Sequence, residues 1–318
     1  MHAIRQYEFG PAETLRHEEV PDPEPGAGQV RVAVSAAGVH LLDTTIRAGV
    51  GGGPFPLPAL PMTPGREVAG VVTALGEGVE DRWLGARVVA HLGRASGGYA
   101  EAAVVDASSL HALPGHVSDE HAVAMIGTGR TAVGVLRVAE PTAEDVVLVT
   151  SAAGGLGALF VQAAKAVGAK VVGAASTAKL DLVERVGADV AVDYTRPGWA
   201  EGVGEVTLVL DGVGGEQGRA ALELLGVGGR IVLFGWSAGA PTRLDTGDLY
   251  RLGITATVAV GPRMTRGTSL RGLEEQSLAA LAEGRLTPLT TVFPLRDAAR
   301  AHAALEGRAT TGKVVLRP

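Results

Sequence analysis

The chain has 318 residues, 46% of them hydrophobic and 19% charged, with a net charge of −6 and no cysteine. At roughly 100–200 residues per domain this length suggests two domains with sizeable cores. The missing cysteines exclude disulfides, thiol nucleophiles and Cys-ligated zinc or iron–sulfur centres, and the acidic balance offers no basic field for nucleic acid. No stretch approaches the ~18 uninterrupted apolar residues of a membrane span, and the N-terminus has no apolar leader core. A soluble, cytoplasmic protein with no membrane partner is therefore expected.

Residues 1–117 are rich in Val, Gly and Pro, and their short strand-like runs (30–34, 68–75, 86–92) are separated by Gly or Pro clusters. The stretch 49–64 holds four Gly and five Pro, and so reads as a loop. A twisted, mainly β domain is the expectation here.

From Ser118 the rhythm changes. Ser118, Asp119 and Glu120 read as a helix cap with acids in the first turn. Apolar runs at 146–150, 170–174, 189–192, 207–210, 230–234 and 254–258 then alternate with helical patterns such as 156–167 and 217–225. Six such strands predict a doubly wound, parallel α/β sheet covered on both faces. Helices at 273–282 and 297–306 and a strand at 313–316 follow. They are too few for a further domain and are expected to rejoin the first, giving one domain from 1–117 plus 260–318 and a nucleotide-binding domain over 118–259.

The sharpest local signal follows the strand at 146–150, where Ala152, Gly154 and Gly157 occupy the three positions of a G-x-G-x-x-G turn that opens straight into a helix. Gly154 would let backbone approach a pyrophosphate, and Gly157 would let the helix pack close to the strand. The N–H groups of Gly155 and Leu156 then face the anion at the positive end of the helix dipole.

The next strand ends in Gly173-Ala174-Ala175-Ser176-Thr177-Ala178-Lys179, with no acid where NAD-binding folds place one. A carboxylate there would repel a 2′-phosphate by roughly 4 kcal/mol at ~4 Å and an intermediate dielectric. Its absence, with Ser176, Thr177, Lys179 and Tyr194 as donors, favours NADPH.

The chain resembles the zinc-independent quinone oxidoreductase branch of the medium-chain dehydrogenase/reductase superfamily. The resemblance is carried by Gly38-Val39-His40-Leu41-Leu42-Asp43, by Pro64-Gly65-Arg66-Glu67-Val68-Ala69-Gly70, by Gly97-Gly98-Tyr99-Ala100-Glu101, by the glycine turn and by Gly312-Lys313-Val314-Val315-Leu316. It implies a GroES-like catalytic domain, a Rossmann NADPH domain and a cleft between them with the nicotinamide at its floor. It also implies that Thr131, Val213, Phe234, Gly235 and Lys313 join the coenzyme contacts. The zinc positions of metal-dependent relatives hold His40, Arg66 and no ligand near Gly127, and His40 with Glu67 falls short of three protein ligands. No metal is expected.

The reaction expected is hydride transfer from NADPH to a quinone or enone. His40 is the candidate donor to the developing oxyanion, oriented by Asp43, with Thr45 and Arg47 in the substrate pocket. The alternatives are reduction of an enoyl or alkenal C=C bond, including polyketide tailoring, and a low-turnover NADPH-binding protein of structural or regulatory role. The histidines at 2, 17, 91, 111, 116, 121 and 302 suggest no role. The apolar strand at 254–260, expected at a sheet edge, suggests a homodimer.

Overall fold

The computed structural model describes residues 1–50 and 57–318, so part of the Gly/Pro loop expected at 49–64 lies outside the described residues. The elements divide between two compact units. Unit 1 comprises Met1–Gly127, Leu278–Glu283 and Pro288–Pro318, and unit 2 comprises Thr128–Ser277 and Gly284–Thr287.

Unit 1 opens with β1 (His2–Gln6) and β2 (Leu15–Glu19), an antiparallel pair, followed by β3 (Gln29–Val39), α1 (Leu41–Arg47), β4 (Glu67–Leu75), β5 (Arg87–His91), β6 (Ala102–Asp106), β7 (Leu110–Ala112) and α2 (Asp119–Ala124). A wide π-type turn at Met125–Gly129 joins α2 to α3 (Arg130–Ala139). Unit 2 continues through β8 (Val146–Val149), α4 (Gly155–Ala166), β9 (Lys170–Ala175), α5 (Leu180–Val186), β10 (Val190–Asp193), β11 (Val206–Asp211), α6 (Gly215–Glu223), β12 (Leu225–Leu233), α7 (Thr246–Leu252), β13 (Thr255–Val258) and most of α8 (Leu270–Ala282). The chain ends in unit 1 with β14 (Thr290–Pro294), α9 (Ala298–Glu306) and β15 (Lys313–Arg317).

The main sheet of unit 1 runs β14-β15-β3-β4-β5-β7, with β6 also paired to β3. Period-two burial along β3 sends Val30, Val32 and Val34 inward, where they meet Val68, Val72, Val88, Leu110 and Leu316. Register then decides which polar residues meet. Val314 pairs with Val39, Ala37 with Val68, and Glu67 with His91. The ends of β3, β4, β5 and β15 therefore bring His40, Glu67, His91 and Lys313 to one place.

The six strands of unit 2 are all parallel, in the order β10-β9-β8-β11-β12-β13. Numbered from β8, this is the 3-2-1-4-5-6 order of the doubly wound dinucleotide fold. Leu148, Val172, Val209 and Ile231 form its buried centre.

The unit boundaries fall later than the residues 117/118 and 259/260 expected from composition. Helix α2 packs on β3, β4 and β15, which keeps 118–127 in unit 1. The start of α8 stays in unit 2, because Glu274 pairs with Arg130 at 2.8 Å and Leu273 lies close to Gly134. The run Asp119–Ala139 is long and apolar enough to cross a membrane, but 61% of its apolar window is buried inside the protein.

Candidate active site

In unit 2, β8 ends at Val149 and the chain turns through Ser151, which takes a positive φ of 55°. The Ala152 N–H donates to the Ala174 carbonyl at 2.9 Å, which ties the turn to β9. Gly154 then caps α4 in an extended conformation. The first-turn N–H groups, those of Gly155 and Leu156 among them, have no acceptor within the helix. Gly157 is needed for contact: a Cβ there would lie 2.2 Å from the Ser151 carbonyl oxygen and 2.8 Å from the Ala152 Cα. The third glycine thus lets the helix start lie directly against the turn, as a phosphate-cradling geometry requires.

The stretch after β9 differs from the expectation in one respect. An acid does reach it, from the neighbouring strand. Asp193, paired in register with Ala175, accepts the Thr177 hydroxyl, the Thr195 hydroxyl at 2.6 Å and the Arg196 Nε at 3.1 Å. Thr177 is therefore committed to Asp193 and is not an open donor. The hydrogen bonds from Thr177 and Thr195 pull the Asp193 carboxyl down to about 2, against the opposing effect of burial. Ser176 and Lys179 bracket the turn and Tyr194 is half-buried, its N–H on the Ala175 carbonyl.

Asp211, at the end of β11, was not foreseen from sequence. It is fully buried and accepts the Thr150 hydroxyl at 2.9 Å, the Val213 N–H at 2.9 Å and the Thr242 hydroxyl. This carboxylate fixes the loop that carries Val213. Phe234 meets Phe160 edge-on at 5.0 Å and covers Gly212, while a Cβ on Gly235 would lie 3.2 Å from the Gly212 carbonyl oxygen. The ends of β11 and β12 are thereby locked together. Thr131 lies half-buried in the first turn of α3.

In unit 1, Glu67 is completely buried, with His40 Nε2 at 2.7 Å from one oxygen and Lys313 Nζ at 2.7 Å from the other. Cβ atoms on Gly38 and Gly127 would strike these oxygens at 2.1 and 1.6 Å, so the two glycines leave the carboxylate its space. Burial alone would raise the Glu67 pKa, but the charges of His40 and Lys313 hold it well below the usual carboxylate range. His91 stands edge-on to His40 with ring centroids 6.5 Å apart.

Two expectations are corrected here. The Asp43 carboxylate is not on the His40 ring: it accepts the His40 backbone N–H at 2.8 Å, closing a capping box at the start of α1, and also the Tyr99 hydroxyl at 3.1 Å. The ring is held by Glu67. Arg47 is not open to an anionic substrate, being 3% exposed with its guanidinium spent on Glu306 at 2.7 and 3.2 Å and on the Gly10 carbonyl. The Lys313 ammonium is buried on Glu67 in unit 1. Thr45 is half-buried and its hydroxyl reaches the Leu41 carbonyl at 3.3 Å.

A doubly wound parallel sheet with a glycine turn in one unit, and a β unit holding the buried Glu67 with His40 and Lys313, define a dinucleotide-dependent dehydrogenase or reductase. Residues 26–115 match the alcohol dehydrogenase GroES-like domain family, and residues 186–316 match the zinc-binding dehydrogenase family. The chain is 32% identical over 329 residues to quinone oxidoreductase 1 of Escherichia coli K12, covering 99% of each chain. To the 2-haloacrylate reductase of a Burkholderia species it is 33% identical over 318 residues, 95% of this chain and 94% of the other. The crystal structure of Escherichia coli quinone oxidoreductase complexed with NADPH superposes with a TM-score of 0.85 at 31% identity, all of both chains being covered. The chain belongs to the quinone oxidoreductase family of medium-chain dehydrogenases/reductases, and it is an oxidoreductase acting on a small molecule.

The name of one matched family raises zinc. His40, Glu67 and His91 bring three ligand atoms within 4.8 Å of one another, which corrects the expectation of only two. Three is the number a catalytic zinc needs. The chemistry of the set nevertheless does not fit. Its one carboxylate already carries His40 on one oxygen and the Lys313 ammonium on the other, so the positive charge a metal would bring is in place. A dication taking Glu67 would be driven against a buried ammonium.

Proposed function

We propose that this protein is an NADPH-dependent reductase that passes hydride to a quinone or a related conjugated carbonyl compound without a metal. The observation that carries this reading is the turn at 151–157, where Gly157 lies under the Ser151 carbonyl and the first-turn N–H groups of α4 are left for an anion. Ser176, Lys179 and Tyr194 are assigned to the adenosine 2′-phosphate, Thr131, Val213, Phe234 and Gly235 to the rest of the coenzyme. When bound, NADPH supplies the hydride.

Reduction of a conjugated carbonyl places negative charge on its oxygen, so a donor there lowers the barrier. We assign that donor to His40. Its ring is held through Nε2 by Glu67, and it is 27% exposed, where Glu67 and Lys313 are buried. Asp43 fixes the backbone that presents it. Loss of NADPH absorbance, followed with a panel of quinones, tests the reading; turnover should survive exhaustive dialysis against a chelator.

A second reading, reduction of an activated C=C bond, is favoured by the full-length likeness to a 2-haloacrylate reductase. Enones, haloacrylates and enoyl thioesters in the same panel decide between the two. Tight coenzyme binding without turnover on any of them would instead mark a structural or regulatory role. We also propose a cytoplasmic homodimer. Strand β13 pairs only with β12 among the described residues, and its Val258 is exposed. A second copy joined there would cover the open edge, and gel filtration at the monomer mass would exclude it.

A further inference from the structure

At the end of β10 the Asp193 side chain is 6% exposed, and both of its oxygens are occupied. Thr195 donates its N–H at 3.0 Å and its hydroxyl at 2.6 Å to one oxygen; the Thr177 hydroxyl and the Arg196 Nε, at 3.1 Å, reach the other. Parallel pairing of β10 with β9 sets this knot against the turn at 176–179. Asp193 is opposite Ala175, and the Tyr194 N–H donates to the Ala175 carbonyl at 3.2 Å. Arg196 is the outward member of the group, its side chain 71% exposed and engaged with Asp193 through Nε.

A carboxylate beside this turn is unfavourable for a 2′-phosphate, for the reason that an acid on the turn itself would be. The arrangement around Asp193 removes that conflict. Its charge is matched by a guanidinium whose two terminal nitrogens lie beyond the bonded Nε. Such an edge is suited to the paired oxygens of a phosphate.

We propose that Arg196 is a specificity-determining residue of the coenzyme site, cancelling the charge of Asp193 and presenting its outer guanidinium edge to the 2′-phosphate of NADPH. The inference rests on the NADPH reading above. It adds to that reading a residue outside the 176–179 turn, brought there by strand pairing. Asp193 and Thr177 act as positioning residues that hold Arg196.

Calorimetric titration of the full chain with NADPH, NADH and adenosine 2′,5′-bisphosphate tests it. Arg196→Gln should weaken NADPH and the bisphosphate by about tenfold or more while leaving NADH within about twofold, since only the phosphate contact is lost. Arg196→Lys should recover part of the loss, because it restores a point charge without the bidentate edge. A merely structural role would weaken NADH and NADPH alike and would lower the melting temperature. Equal losses for the two coenzymes, or an unchanged preference for NADPH in Arg196→Gln, would overturn the proposal alone. A wild-type chain that binds NADH as tightly as NADPH would overturn the coenzyme reading, and this inference with it.

Discussion

His302 offers a prediction that can be worked through from its surroundings. It is fully buried on α9, with Nε2 3.2 Å from the Tyr99 hydroxyl oxygen and the two rings edge-on at 5.7 Å. The Tyr99 proton is given to Asp43, so the His302 hydrogen must sit on Nε2 and point at the Tyr99 oxygen. Nδ1 is left buried without a partner among the described residues. Charging the ring would add a proton at that unpartnered atom, and burial accordingly pushes the pKa down from 6.5 to about 4. In the unfolded chain the same group titrates near its ordinary value. Between these two values the unfolded state holds the extra proton, so stability rises with pH across the window and is lost as pH falls from about 6.5 toward 4. At 1.36 kcal/mol per unit the full window amounts to roughly 3 kcal/mol. Urea unfolding at several pH values from about 7 to about 4.5, for the wild type and for His302→Gln, reads this directly. The variant starts from a lower stability at neutral pH but should lose less of it on acidification. Stability curves of equal pH slope would refute the assignment of a buried neutral histidine.

Three further outcomes follow from the same contacts. Gly157→Ala should weaken NADPH binding by about tenfold or more and cost about 1–3 kcal/mol, since the new methyl meets the Ser151 carbonyl and Ala152 backbone, neither of which can give way cheaply; unaltered coenzyme affinity by calorimetry would contradict the packing role. Glu67→Gln should destabilise by about 3–5 kcal/mol, because it leaves the Lys313 ammonium buried and unpaired. Adding Lys313→Met should restore most of that loss, and a double-mutant cycle without coupling would show the pair to be energetically idle. Arg47→Met should cost about 1–3 kcal/mol, the half-exposed Glu306 being able to regain water, while the KM for the acceptor stays unchanged; a large KM increase at constant stability would return Arg47 to the substrate pocket.

The fold of unit 2 and its glycine turn were largely legible because their signal is contiguous. Strand, glycine turn and helix lie within some twenty residues, and each glycine's purpose follows from local sterics, as the Gly157 contact with Ser151 illustrates. The parallel six-stranded sheet followed from the alternation of apolar strands and helices. The polar cluster of unit 1 was legible only in part. His40 and Glu67 stood out through family resemblance, but His91 meets Glu67 through the β4–β5 register and Lys313 arrives through the β15–β3 register, across separations of 24 and 246 residues that no local pattern encodes. The same reason hid Asp193 behind Thr177. Arg47 was misjudged because a helix seven residues long does not announce which face α9 will cover, and so the charge expected in a pocket is bonded to Glu306.

The most direct test of the account is the binding of NADPH to the wild-type chain, followed by its oxidation on addition of a quinone. A one-to-one complex tighter than that with NADH, with absorbance lost only when the acceptor is present, is the predicted result. No binding of either nicotinamide coenzyme to the folded chain would contradict it, because the turn at 151–157 would then hold no diphosphate.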